Sequence, residues 1–141
     1  MLFEDELYDE FGTWPLAYIP YGGADFGEIS AVAKAIGSGD DSAFYETWMK
    51  AADGLLHQAE EALQAGHRHS ARELFLRASA FYATTYHPLY GEPVDPRLLS
   101  AFRKLVEALD RGFLLFDPAI TPMRISFEQT SMPAPCTSRG T

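Results

Sequence analysis

The stretch AEEALQAGHRHSARELFLRAS, residues 59–79, decides how this chain is read. Ala59 and Leu63 close an apolar stripe that runs back through Leu55, Ala51 and Trp48 to Phe44 at helical spacing. Gly66 then stands where a helix ends most easily in a left-handed residue. Downstream, Ala71, Leu74, Phe75, Ala78, Phe81 and Tyr82 repeat the spacing on a second stripe. Ser70 and Glu73 fit the S-x-x-E capping box, whose hydroxyl and carboxylate satisfy the free amides of a new helix. The stretch predicts a helical hairpin, its first arm over 42–65 and about 36 Å long, with His67 and His69 in the turn.

Toward the N-terminus, Asp25 and Glu28 form a D-x-x-E capping pair ahead of Ile29, Val32, Ala33 and Ile36, which predicts a short helix ended by GSGDD at 37–41. Asp40 and Asp41 read as caps of the long helix that follows. The segment FGTWPLAYIPYGGAD, 11–25, keeps no helical period and is rich in Pro, Gly and aromatic residues, so an extended, ordered arm is expected over 1–24. Trp14, Tyr18 and Tyr21 are costly to leave in water, which requires that arm to pack on something.

Toward the C-terminus, HPLYGEPVDP breaks the second hairpin helix, and Asp95-Pro96 offers an N-cap with proline at the first helical position. Leu98, Leu99, Phe102, Leu105, Val106 and Leu109 give the apolar face of a further helix, stopped by Gly112. The period then changes: in MRISFE, Met123, Ile125 and Phe127 alternate with Arg124, Ser126 and Glu128, a strand pattern. TSMPAPCTSRGT follows as turn-formers, so 134–141 is expected to be a disordered tail.

Composition narrows the partners. The chain has 141 residues, 47% of them hydrophobic, enough for one modest core. Its net charge is −9, and the first 33 residues carry seven acidic side chains with no Lys or Arg. Nucleic acid and anionic membrane surfaces, which bind clustered cations, are therefore not expected partners. The acidic start lacks a signal peptide's basic region, and the longest bulky apolar run is 113–116, so a soluble, cytoplasmic protein is expected. The single Cys136 allows no internal disulfide.

The chemical motifs are sparse. The H-x-H of His67 and His69 has no carboxylate or thiol beside it to complete a zinc set, and His57 and His87 have no reason in sequence to converge on it, so no metal or cofactor is expected. No G-x-S-x-G occurs, and Ser38 in IGSGDD follows a helix pattern where a nucleophile elbow follows a strand. No catalytic residue is assigned. The aromatic residues Phe81, Tyr82, Tyr86, His87 and Tyr90 gather at a helix end and its loop, where amphipathic rings line pockets as well as cores.

GGADFGEI (22–29), WMKAADGLLHQAEEALQAGHRHSARELFLRASAFY (48–82), DPRLLSAF (95–102) and ITPMRISFEQTSMP (120–133), in this order, resemble the N-terminal region of serine α/β-hydrolases. That family includes 2,6-dihydropseudooxynicotine hydrolase and the fungal pigment chain-shortening hydrolases, whose members often carry peptidase-like names. The resemblance implies a mostly α fold: a helical cap of about four helices over 25–112, then one or two terminal β-strands over 113–133 that begin an incomplete α/β-hydrolase sheet. It also implies the role of a cap that walls off and shapes the substrate pocket. The nucleophile, acid, histidine and oxyanion hole would come from a hydrolase catalytic domain, in the same gene or a separate chain, acting on a small-molecule ester, amide or carbon–carbon acyl bond. Trp14, Tyr82 and Tyr86 are the candidate pocket-lining residues, chosen on aromatic clustering. Alone, this chain is expected to be catalytically silent, with apolar surface that favours a homo-oligomer.

The tail departs from the family. Relatives follow the proline matching Pro133 with Gly, an aromatic residue and a second strand, where this chain reads APCTSRGT. A shifted reading frame past Met132 permits a family-like continuation, and a split gene or a trimmed one gives the same ending. A rival reading from another class is a tetratricopeptide-like interaction module, suggested by the W-x₂-A…A-x₂-L…G-x₃-S-A…F pattern. It is weakened by the single hairpin where stacking needs about three repeats or more.

Overall fold

The computed structural model describes residues 1–137. Five α-helices precede a β-hairpin: α1 (Glu6–Thr13), an aromatic 3-10 segment (Trp14–Tyr21), α2 (Phe26–Ile36), α3 (Asp41–Gln64), α4 (Arg68–Thr85), a short 3-10 turn (His87–Leu89), α5 (Pro96–Phe113), β1 (Ile120–Phe127) and β2 (Thr130–Thr137). Helices α3, α4 and α5 pack side by side in chain order, and the N-terminal elements lie across them. The fold is mostly α with terminal strands, as expected.

The α3–α4 turn follows from Gly66. Its φ of 79° lets His67 N–H reach the Ala62 carbonyl at 2.8 Å while its own N–H reaches Leu63 at 3.0 Å, so the last carbonyls of α3 are satisfied. This tight reversal starts α4 at Arg68, earlier than the expected capping box. Ser70 lies inside the helix, and His67 occupies the N-cap without a side-chain bond. Asp25, Asp40 and Asp95 cap α2, α3 and α5 as their spacing indicated, whereas Asp41 accepts the Tyr8 hydroxyl.

The principal core is aromatic. Phe44, Trp48, Phe81 and Tyr82 are buried, with Phe3 stacked on Trp48 at 6.3 Å and Phe81 edge-on to it at 5.0 Å. Fully burying each such side chain contributes about 1.5–3 kcal/mol. Phe81 is thus satisfied within this chain.

Two expectations are corrected. Most of the arm over 1–24 is helical, across 6–21: Asp5 caps α1 through the Leu7 and Tyr8 amides, and Pro15 sits at the first turn of the 3-10 segment, where its missing N–H costs nothing. Helix α5 buries its small side, through Ala101, Ala108 and Gly112, leaving Leu99, Phe102 and Val106 exposed. Close approach of α4 explains the choice, since the Leu76 side chain lies against Gly112; that glycine is inside the helix and does not end it.

The strands pair antiparallel around a two-residue turn at Glu128, whose φ is 50°. Met123, Ile125, Phe127 and Met132 share one face and are 44–49% exposed. The other face brings Pro122, Pro133 and Pro135 toward Leu109 and Phe113. Pro133 pairs with Arg124 and Pro135 with Pro122, positions between the bonded pairs of the ladder, so their missing N–H groups cost no bond. Residues 134–137, expected in a disordered tail, belong to β2; the rest of that tail lies outside the described residues.

Candidate functional site

The aromatic 3-10 segment is anchored at its C-terminal end. Ahead of it, Asp9 of α1 accepts the Phe3 amide at 2.9 Å and the Leu2 amide, folding the chain start back on α1, and these bonds hold its carboxyl below the usual range. At its end, Gly22 takes a φ of 72°, and Gly23 lets the Tyr18 side chain approach to where a Cβ would stand 2.7 Å away. Arg77 of α4 then clamps the segment, donating Nε to the Gly22 carbonyl at 3.1 Å and Nη1 to Glu28 Oε1 at 3.0 Å.

The result is a slot of about 320 Å³ between three elements. Trp14, Tyr18 and Tyr21 form one wall; Leu76, Ala80 and Ala83 of α4, at i, i+4 and i+7 on one helix face, stand opposite; Leu105 and Leu109 of α5 close the remaining side. Trp14 and Tyr18 meet edge to face at 5.4 Å. Ser79 is the only hydroxyl from the helices in the lining, and it donates to the Leu105 carbonyl at 3.1 Å.

Beside the slot, His87 lies in an aromatic box. Phe11 stacks on it at 5.3 Å, Trp14 is edge-on at 5.7 Å, and Tyr86 and Tyr90 stand 5.7 and 6.0 Å away. Burial among these rings lowers the imidazole pKa, because they withhold the water that would solvate its charge. Trp14 therefore belongs to both slot and box, and Tyr86 to the box alone.

Tyr82 is elsewhere. One residue before Ala83, it is turned by about 100° around α4 and is fully buried in the core. Its hydroxyl donates to Asp53 Oδ1, which also holds Lys104 Nζ at 2.6 Å, so one carboxylate braces α3, α4 and α5. Burial and the Asp53 charge push the phenol pKa well above its ordinary range. The grouping of Tyr82 with Tyr86 in sequence thus spans two different environments. Sequence reasoning missed Ala80, Ala83, Leu105 and Leu109 as lining residues, and the clustering of Trp14, Tyr18 and Tyr21 in one short aromatic segment was the only signal for the wall. His67 and His69 are both exposed, and among the described residues no three His, Cys, Asp or Glu side chains gather as a metal ion requires.

Comparison with known proteins finds hydrolases among the chain's relatives. The hydrolase LUC6 of a Fusarium species is 34% identical over 113 residues, which cover 80% of this chain and 27% of that protein. The 20-hydroxy-prefusarin hydrolase FUS2 of Gibberella moniliformis is 32% identical over 114 residues, covering 81% and 27%. The chain resembles these hydrolases. A protein of Xenoacremonium sinensis named alpha/beta hydrolase xenA is 29% identical over 107 residues, covering 76% of this chain and 25% of that one. The chain thus spans between a quarter and a third of the length of the curated relatives it matches. No family model matches it. Among the described residues, no helix is long and apolar enough to cross a membrane.

Proposed function

We propose that this chain is the helical cap of a serine α/β-hydrolase, walling the substrate pocket while a separate catalytic domain supplies nucleophile, base and oxyanion hole. The observation that carries this reading is the uneven coverage: similarity runs over four-fifths of this chain but only 27% of LUC6 and FUS2. The exposed apolar residues support it. Leu99, Phe102 and Val106 on α5, and Met123, Ile125 and Phe127 on β1, offer surfaces on which a larger body packs. The slot supports it too, as a largely apolar wall of the kind that orients a substrate without reacting with it.

The test has two arms. The purified chain should hydrolyse p-nitrophenyl butyrate no faster than buffer, and a rate abolished by a serine-reactive phosphonate would place a nucleophile here and overturn the cap role. Reading the gene for about 1 kb past the Thr141 codon, the span of a further large domain, should uncover G-x-S-x-G coding followed by Asp and His. Their absence in all three frames would show that this gene does not encode the catalytic domain and would favour the stand-alone interaction module.

A further inference from the structure

We propose that the slot under the aromatic 3-10 segment binds a neutral, planar, apolar molecule about the size of two fused rings. The ligand class rests on the reading of this chain as a pocket wall; the existence of the site rests on the slot itself.

Charge is the first argument. Among the described residues, no acidic or basic side chain lines the slot. By contrast, the larger opening between α2 and α3, about 430 Å³, is lined by Glu28 and Lys50. A charged ligand in the slot would lose water and meet no counter-charge, which is strongly unfavourable. The helical wall offers no free polar group either, since the Ser79 hydroxyl is committed to Leu105.

Shape is the second. A volume near 320 Å³ is at the small end of ligand pockets. Ala80 and Ala83 form a flat floor on α4, facing Trp14 and Tyr18, so the space suits a thin ring system lying between small methyl groups and an arene wall. Among the described residues the Tyr18 and Tyr21 hydroxyls make no hydrogen bond, which leaves them for a hydroxyl or carbonyl at the edge of the ligand.

Rigidity is the third. Trp14 is 45% and Tyr21 82% exposed, although the segment is braced by Pro15, Pro20 and the Arg77 clamp. Rings held stiffly in partial contact with water lose little freedom when a ligand covers them.

The probe is 2-naphthol, titrated into the full chain by calorimetry, with 2-naphthalenesulfonate as the charged analogue. Saturable one-to-one binding is expected, at least tenfold weaker for the sulfonate and for Ala83→Phe, which fills the floor. Ala80→Phe and Trp14→Leu are second variants, each checked for native helicity by circular dichroism, so that a misfolded variant does not decide the result. Absence of saturable 2-naphthol binding, equal affinity for the sulfonate, or undiminished binding to the folded floor variants would overturn the proposal. Slot-dependent binding by a chain whose gene carries no hydrolase coding would sustain the site and defeat the cap reading instead.

Discussion

Replacing Gly54 by alanine is expected to stabilise the protein, and the same change at Gly112 to destabilise it. Both glycines lie inside helices, α3 and α5, so alanine brings the same kind of gain by reducing unfolded-state freedom and improving helix propensity. At Gly54, on the exposed side of α3, a Cβ meets no atom within 4 Å, and the full gain of about 0.8–1 kcal/mol should appear. At Gly112 a Cβ would stand 2.8 Å from Leu76 Cδ2, 3.1 Å from Leu76 Cγ and 3.4 Å from Phe75 Cβ. Insertion into packed space costs about 1–3 kcal/mol, more than a helix-end gain offsets, so a net loss of about 1 kcal/mol is expected. The assay is urea unfolding of wild type and both variants, followed by circular dichroism and tryptophan emission to check that the transitions coincide. The midpoints should separate in opposite directions, with Gly54→Ala raising Tm by about 3–4 °C for a chain of this size. A destabilised Gly54→Ala would refute the open space beside α3; a stabilised Gly112→Ala would refute the close α4–α5 contact.

Two further outcomes concern buried rings. Tyr82→Phe removes the bond to Asp53, which keeps Lys104 and is half exposed, so the loss should be about 1 kcal/mol, measured by urea midpoint. Because the native phenol pKa is raised, wild type should also lose stability as pH climbs above the unfolded value near 10, a slope that the Phe variant lacks in part. His87 behaves in the opposite sense: its folded pKa is depressed, so its contribution is complete above the unfolded value near 6.5 and declines as pH falls through the folded one. Unfolding at pH 7.5 and 5.0 should show a decline in wild type that is smaller in His87→Phe; equal declines would show that the aromatic box does not oppose the imidazolium.

What the sequence made legible was local. Gly66, Asp25, Asp40 and Asp95 act through backbone groups a few residues away, so their spacing carried their meaning. The alternation of Met123, Ile125 and Phe127 likewise marked β1. The helical arm was obscured because Pro15 and Pro20 suggest breaks, although the first falls where a helix tolerates proline. The buried side of α5 was misread for a different reason: hydrophobic size marked Phe102 and Val106 as core, while close helix contact selected Ala101, Ala108 and Gly112. The slot escaped notice because Trp14, Ala80 and Leu105 come from three separated elements, and no spacing rule links them.

The prolines of β2 also decide how the hairpin can meet another strand. Between Ser131 and Thr137 the outward positions are Pro133 and Pro135, so that edge offers no amide hydrogen over its middle length. The outward edge of β1 keeps the amides of Arg124 and Ser126. A fibre needs two competent edges on each molecule, one to receive and one to pass on. With a single competent edge, strand pairing between copies ends at two, and crowding would yield capped dimers in place of a growing sheet.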